Sequence, residues 1–421
     1  MNKILVVEDS RVIIKILKRL IARDNEVQPF FAESYAETSM LCKKHGDFSG
    51  ALVDLHLPDA PNGEALEYVL SKKIPTVVLT TEQSEEKRRQ WFDAGIVDYV
   101  VKESRYSYEY AISVLKRLDI NKSQKILIVD DSNVSRNFMR NALRPHGFKI
   151  YEAENGKQGM QILQSEGDIR LVLTDYHMPT MDGIQLAQRA RMHFPRTKLG
   201  IIGLSSNEDK TLSVKFIKHG ANDFLHKPFA TEELLCRVLH NLDLLHLVDK
   251  IEDEADRDYL TGLNNRRFLF RQSEKVLKHA RSSKASLSLA VIDIDHFKKI
   301  NDSYGHECGD AMLRLFSKHL ARHFSNYILA RVGGEEFCVV MPGVKSAECL
   351  SLLERLRVEM RDTTLNWGEQ TLRITFSAGI VDEISDSLST MINRADEELY
   401  RAKHAGRDCI KVADNLSKSA A

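Results

Sequence analysis

Acids, hydroxyls and amines recur at matched positions in the first half of this chain. Lys3-Ile4-Leu5-Val6-Val7-Glu8-Asp9-Ser10 returns as Lys125-Ile126-Leu127-Ile128-Val129-Asp130-Asp131-Ser132, an offset of 122. Asp54 returns as Asp175, Thr80 as Ser205 and Lys102 as Lys227, at offsets of 121, 125 and 125. Carboxylates crowded at Glu8 and Asp9, or at Asp130 and Asp131, repel one another and suit a hard divalent ion such as Mg²⁺. A central Asp54 or Asp175 beside such an ion can accept a phosphoryl group. A hydroxyl and an ammonium then bind the added oxygens and balance their charge.

The elements that must bring these groups together can be read from the same stretch. Short apolar runs alternate with helix-like segments, the pattern of a parallel sheet with helices on both faces. In that architecture the loops at the carboxyl ends of the strands converge on one crevice, and every one of these residues closes an apolar run. A single Asp ending a strand is ordinarily a solvated turn residue; the joint pattern, present twice, argues for a built site.

Both copies resemble response-regulator receiver domains. The resemblance makes Asp54 and Asp175 the phosphoacceptors and the paired acids the metal holders. It makes Thr80 with Lys102, and Ser205 with Lys227, the switch residues, with Tyr99 and Phe224 as the switch aromatics. The copies differ. Asp175-Tyr176-His177-Met178-Pro179-Thr180-Met181-Asp182-Gly183 and Lys227-Pro228 keep the usual form. The first copy is one residue longer between Asp54 and Gly63 and follows Lys102 with Glu103. Without the proline the loop carrying Lys102 is expected to be set differently. Asp175 is therefore the favoured acceptor, and the first copy suits a role as dimerisation adaptor.

The last third carries other chemistry. Asp258-Tyr259-Leu260-Thr261 opens it, and an apolar strand runs into Asp293-Ile294-Asp295-His296-Phe297-Lys298. Asn301-Asp302, Gly305-His306-Glu307-Cys308-Gly309-Asp310 and Gly333-Gly334-Glu335-Glu336 follow. Two glycines permit a tight turn, and acids after it, opposite an Asp on a neighbouring strand, suit metal-assisted displacement at phosphorus. Taken singly, Gly-Gly-Glu-Glu is an exposed hairpin turn; the ensemble outweighs that reading.

That ensemble resembles the GGDEF-type diguanylate cyclase domain, with Glu in the third motif position. The resemblance implies a mixed antiparallel sheet similar to the palm of nucleotide cyclases. It assigns Mg²⁺ to Asp293, Glu335 and the Ile294 carbonyl, and catalysis to Glu335, Glu336 and Lys298. Asn301 and Asp310 would read guanine, with His306 near the ribose or base. Lys298, Lys403 and Arg407 would hold phosphates. One departure concerns feedback: the family's inhibitory Arg-x-x-Asp is replaced by Phe324-Ser325-Asn326-Tyr327, and Arg322 is displaced from it. Weak or absent inhibition by cyclic di-GMP is expected.

Between the two halves, Leu235, Val238, Leu242, Leu245, Val248 and Ile251 recur every three or four residues behind Thr231. They form the stripe of a long helix leaving the second copy, whose far end suits a parallel dimer seam. The expected fold class is α/β, with two doubly wound parallel-sheet domains and a C-terminal α+β, cyclase-palm-like domain. The expected boundaries are 1–120, 123–245, a linker helix over 246–256, and 257–415. Sixty basic and 60 acidic residues cancel, and no basic recognition helix follows the receivers, so nucleic acid is not an expected partner. Six scattered cysteines suggest neither disulfides nor zinc. No run reaches the ~20 apolar residues of a membrane span, so a cytoplasmic location and no membrane partner are expected. The expected function is condensation of two GTP into cyclic di-GMP by a homodimer, controlled by a histidine kinase or phosphotransfer protein. The competing reading is an inactive regulator that only binds GTP or cyclic di-GMP.

Overall fold

The computed structural model describes residues 2–22, 27–206 and 211–413. The chain forms two compact units, Met1–Asp249 and Lys250–Ala421.

The first unit contains both repeat copies. The first copy runs β1 (Asn2–Val7), α1 (Arg11–Ile21), β2 (Val27–Ala32), α2 (Tyr35–His45), β3 (Gly50–Asp54) and α3 (Glu64–Ser71). It closes with β4 (Thr76–Thr80), α4 (Glu85–Asp93), β5 (Asp98–Val101) and α5 (Arg105–Asn121). The strands pair in parallel in the order β2-β1-β3-β4-β5. Every residue of β3 and β4 is buried, which is why these strands read as unbroken apolar runs ending in a polar residue.

The second copy repeats this with β6 (Lys125–Val129), α6 (Asn133–Leu143), β7 (Lys149–Ala153), α7 (Gly156–Glu166), β8 (Ile169–Asp175) and α8 (Gly183–Arg191). It continues through β9 (Gly200–Ser205), α9 (Thr211–Lys218), β10 (Asp223–His226) and α10 (Thr231–Asp256), with sheet order β10-β9-β8-β6-β7. Phe92 on α4 packs with the buried clusters of both copies. Arg117 on α5 donates to the Leu239 carbonyl at 3.0 Å and pairs with Asp243, both on α10, while Arg88 pairs with Glu232.

Burial along α10 fades as the sequence stripe predicts: Leu235, Val238, Leu242 and Leu245 are buried, Val248 is half-buried and Ile251 is exposed. Leu244 and Leu247 are also exposed.

The second unit runs β11 (Asn264–Asn265), α11 (Arg266–Ser283), β12 (Leu287–Ile294), α12 (Phe297–Tyr304), α13 (His306–His323), β13 (Ile328–Gly333) and β14 (Glu336–Pro342). Then come α14 (Ser346–Asp362), the hairpin β15 (Leu365–Trp367) and β16 (Gln370–Leu372), β17 (Phe376–Val381), α15 (Leu388–His404) and β18 (Ile410–Val412). The main sheet has the order β11-β13-β14-β12-β17-β18, with β12 antiparallel to both neighbours. One face is covered by apolar residues of α13 and α14, the other by those of α11 and α15. Strand β12 is buried at all eight positions. An acid at its end therefore starts from a desolvated position.

Candidate active site and phosphoacceptor pockets

In each acidic pocket of the first unit a lysine bridges two buried carboxylates. In the first, Lys102 Nζ lies 2.7 Å from both Glu8 Oε2 and Asp54 Oδ2, and carboxylate oxygens of Glu8, Asp9 and Asp54 come within 4.8 Å of one another. In the second, Lys227 Nζ lies 2.6 Å from Asp130 Oδ2 and 2.5 Å from Asp175 Oδ1, with Asp131 exposed alongside. Thr80 and Ser205 are buried at the ends of the adjacent strands, and Tyr99 is buried with its hydroxyl donating to the Glu82 carbonyl at 3.1 Å. Phe224 is buried in the equivalent place.

Burial raises the Glu8 and Asp175 carboxyls above their ordinary values despite the lysines. Burial alone would lower the Lys102 and Lys227 ammoniums, but their carboxylate partners outweigh it and hold both above the usual value.

The expected difference in the Lys102 loop does not reach the ammonium. Lys102 N donates to the Thr80 carbonyl at 2.8 Å just as Lys227 N donates to Ser205 at 2.9 Å, although Lys227–Pro228 is a cis peptide. The extra residue before Gly63 is absorbed by a local Leu57–Ala60 bridge. Asp59 there accepts from the Tyr35 and Ala36 amides at the start of α2.

In the second unit, Asp293, Ile294, Lys298, Glu335, Lys403 and Arg407 line one cavity of about 360 Å³. Lys299 and Asp302 also line it, residues to which sequence reasoning gave no part. Strands β13 and β14 close on Gly333 opposite Glu336, with Gly334 at φ +51°, a left-handed turn position that a side chain would strain. This turn puts Glu335 at the tip and Glu336 directly opposite Asp293 across β12.

Burial pushes the Asp293 carboxyl up to about 6; Lys403, at 2.8 Å, opposes the shift, and Glu335 and Glu336 add to it. Around the Asp293 carboxylate, Glu335 and Glu336 add negative charge, while Lys298, Lys299 and Arg407 stand elsewhere in the lining. The Lys403 ammonium is the only side-chain partner of the Asp293 carboxylate among the described residues. Carboxylates at the end of β12 and on the hairpin turn are the hard oxygen donors that a divalent cation takes.

The guanine-reading candidates lie beside this cavity rather than in its wall. Asn301 is on α12, while His306 opens α13 and Asp310 stands in its second turn. Gly305, at φ +84°, turns the chain between the two helices. A Cβ on Gly309 would collide with Asn301 Oδ1, so glycine there lets α13 close over the amide. Among the described residues Asn301 Oδ1 is buried without a hydrogen-bond partner, a cost that a donor from a bound ligand would relieve.

At the position of the inhibitory motif, Phe324 is buried in the core and Tyr327 packs against it. Arg322 pairs instead with Glu359 on α14, which also bonds His319 and His323 at 2.6 Å.

Two further networks escaped sequence reasoning. Asp258 accepts from the Thr261 amide and hydroxyl and from Arg331, whose Nε donates to the Gly334 carbonyl at 2.8 Å. Asp295, 4% exposed, accepts from Thr375, Ser377 and the Asp408 amide. An acid two residues beyond another on a wholly buried strand was the available signal.

Residues 255–409 match the diguanylate cyclase GGDEF domain, and residues 4–107 and 126–239 each match the response regulator receiver domain. The chain belongs to the response-regulator diguanylate cyclases. It is 27% identical over 379 residues to the response regulator PleD of Caulobacter vibrioides, covering 81% of this chain and 83% of that one. It is 41% identical over 170 residues to the diguanylate cyclase DgcP of Pseudomonas aeruginosa, 40% of this chain and 25% of that relative. A solved two-component response regulator/GGDEF domain protein matches with a TM-score of 0.55 and 41% identity, over 58% of this chain and all of the other. The repeat copies are thus receiver domains, and the C-terminal unit carries a GGDEF domain of a family that uses divalent metal ions. Among the described residues no helix is long and apolar enough to cross a membrane.

Proposed function

We propose that this chain condenses two GTP into cyclic di-GMP, releasing two pyrophosphates, when aspartyl phosphorylation of its receivers favours a homodimer. The observation that carries the reading is Asp293 set opposite Glu336, with Glu335, Lys298, Lys403 and Arg407 around one cavity. Asp293, Glu335 and the Ile294 carbonyl would hold Mg²⁺, which when bound neutralises charge on the triphosphate.

Each nucleotide's 3′-oxygen attacks the other's α-phosphorus. The bond to the leaving β-phosphate oxygen breaks, and pyrophosphate departs. Glu335 is the base that takes the 3′-hydroxyl proton, and Glu336 is a further acid at the reacting centre. Lys298, Lys403 and Arg407 bind the phosphates and offset charge in the transition state. Asn301 and Asp310 pair with guanine's N–H edge, with His306 near the ribose. Adenine has no such edge, so the site discriminates against ATP.

One domain holds one GTP, and the product needs two links, which calls for two domains face to face. Asp175 is the principal phosphoacceptor and Asp54 the second, with phosphate supplied by a histidine kinase or phosphotransfer protein. In this reading the functional divisions fall at 1–120, 123–245, a 246–256 linker and 257–415.

The test is turnover of GTP by the purified chain with Mg²⁺. Cyclic di-GMP should form, and Glu335→Gln should lower kcat at least about 100-fold, as loss of a metal-binding base does. Unchanged turnover in that variant would overturn the assignment.

A further inference from the structure

The turn after α15 is held in an unusual backbone. Gly406, Arg407 and Asp408 have φ of +109°, +64° and +43°, two of them non-glycine residues in the left-handed region. Such a conformation persists only where the surroundings over-determine it. Here they do. The Asp408 amide donates to Asp295 Oδ2 at 2.9 Å, and the other carboxylate oxygen of Asp295 accepts from Ser377 at 2.7 Å. The Asp408 carboxylate is gripped by two arginines of α14: Arg357 Nη1 at 3.1 Å and Arg361 Nε at 2.6 Å. Arg357 also donates to the Asp408 carbonyl at 3.1 Å. Between them stands Arg407, which lines the cavity and whose guanidinium has no partner among the described residues.

We infer that Asp295 and Asp408 are positioning residues that fix Arg407 as a preset ligand for the substrate's phosphates. Asp295 lies two residues beyond Asp293, so one buried carboxylate registers the metal-binding end of β12 against the phosphate-binding turn. Arg357 and Arg361 carry that registration to α14, on the far side of the turn. A mobile turn would lose backbone freedom when its arginine met the triphosphate; a clamped turn has less to lose. The inference rests on the reading of Arg407 as a phosphate ligand.

A double-mutant cycle on the full chain separates the two claims. Arg407→Ala should raise KM for GTP about tenfold, the effect of losing one charge-assisted contact. Asp408→Asn should raise KM several-fold with a smaller change in kcat. The Arg407→Ala/Asp408→Asn pair should be no worse than Arg407→Ala alone, because Asp408 acts through Arg407. Effects that multiply would mean Asp408 merely supports the fold, and would overturn the inference. An unchanged KM in Arg407→Ala would instead sink the phosphate-ligand reading itself. Should Asp408→Asn unfold, Arg361→Ala removes one arm of the clamp at an exposed position and is run through the same cycle, with the same two outcomes.

Discussion

At the scale of single residues, Asp293 shows how far a candidate active site departs from the arrangement that would be most stable. Its carboxyl titrates near 6, above its ordinary 3.8, because burial outweighs the Lys403 contact. An acid whose folded pKa is raised is favoured neutral, so its penalty is absent below about 4 and grows as pH rises through about 6. At ~1.4 kcal/mol per pH unit, the charged form costs the metal-free fold about 3 kcal/mol at most. Asp293→Asn should therefore raise the melting temperature of the metal-free chain at pH 7.5 while abolishing cyclic di-GMP synthesis. A melting temperature that falls instead would show that the Lys403 pair outweighs burial. Phe324 and Tyr327 make the second residue-scale case. With apolar and aromatic groups where Arg and Asp would bind product, steady-state turnover should be nearly insensitive to added cyclic di-GMP at concentrations comparable to GTP.

At the scale of elements, helices α12 and α13 depend on one missing methyl group. Gly309→Ala drives a Cβ into Asn301 Oδ1, and either the helix or the amide must move. The expected cost is about 1–3 kcal/mol of stability, the range for overpacking. A raised KM for GTP and reduced discrimination against ATP should accompany it, read in competition assays. The hairpin β13–β14 depends on glycine differently, since Gly334 supplies a positive φ that aims Glu335 rather than a close approach. Much of this was legible in the sequence. Apolar runs ending in polar residues, repeated at offsets of 121 to 125, marked the strands of the receivers, and the GG-EE turn marked a hairpin. What could not be read was the pairing of Asp295 with Thr375, Ser377 and Asp408. Those contacts join residues 80, 82 and 113 apart in sequence, so the local signal could mark Asp295 but not its partners.

At the scale of the whole molecule, the proposed function passes control from phosphate at a receiver to the meeting of two cyclase domains. A phosphomimic such as beryllofluoride should raise both turnover and the dimer fraction in sedimentation. Asp175→Ala should remove more of that response than Asp54→Ala. Leu247 and Ile251, four residues apart and both exposed, give the far end of α10 an apolar pair outside the buried stripe. Changing both to Ser should lower the activated dimer's association without changing the fold of either receiver. An activated dimer of unchanged strength would exclude α10 as the seam.

The amino-acid order alone determined which residue types stand at the ends of which strands, because a buried strand must be apolar until it reaches the surface where chemistry is done. It therefore pointed to two acidic clusters at strand ends in the first half and to a carboxylate-bearing turn in the last third. Only the tertiary structure decided that Lys403 sits on Asp293, that Glu336 faces it, and that Arg407 rides a turn clamped by Asp295, Arg357 and Arg361. Those relations depend on how sheet and helices pack across long sequence separations. Charge and burial acquire their values only once that packing exists.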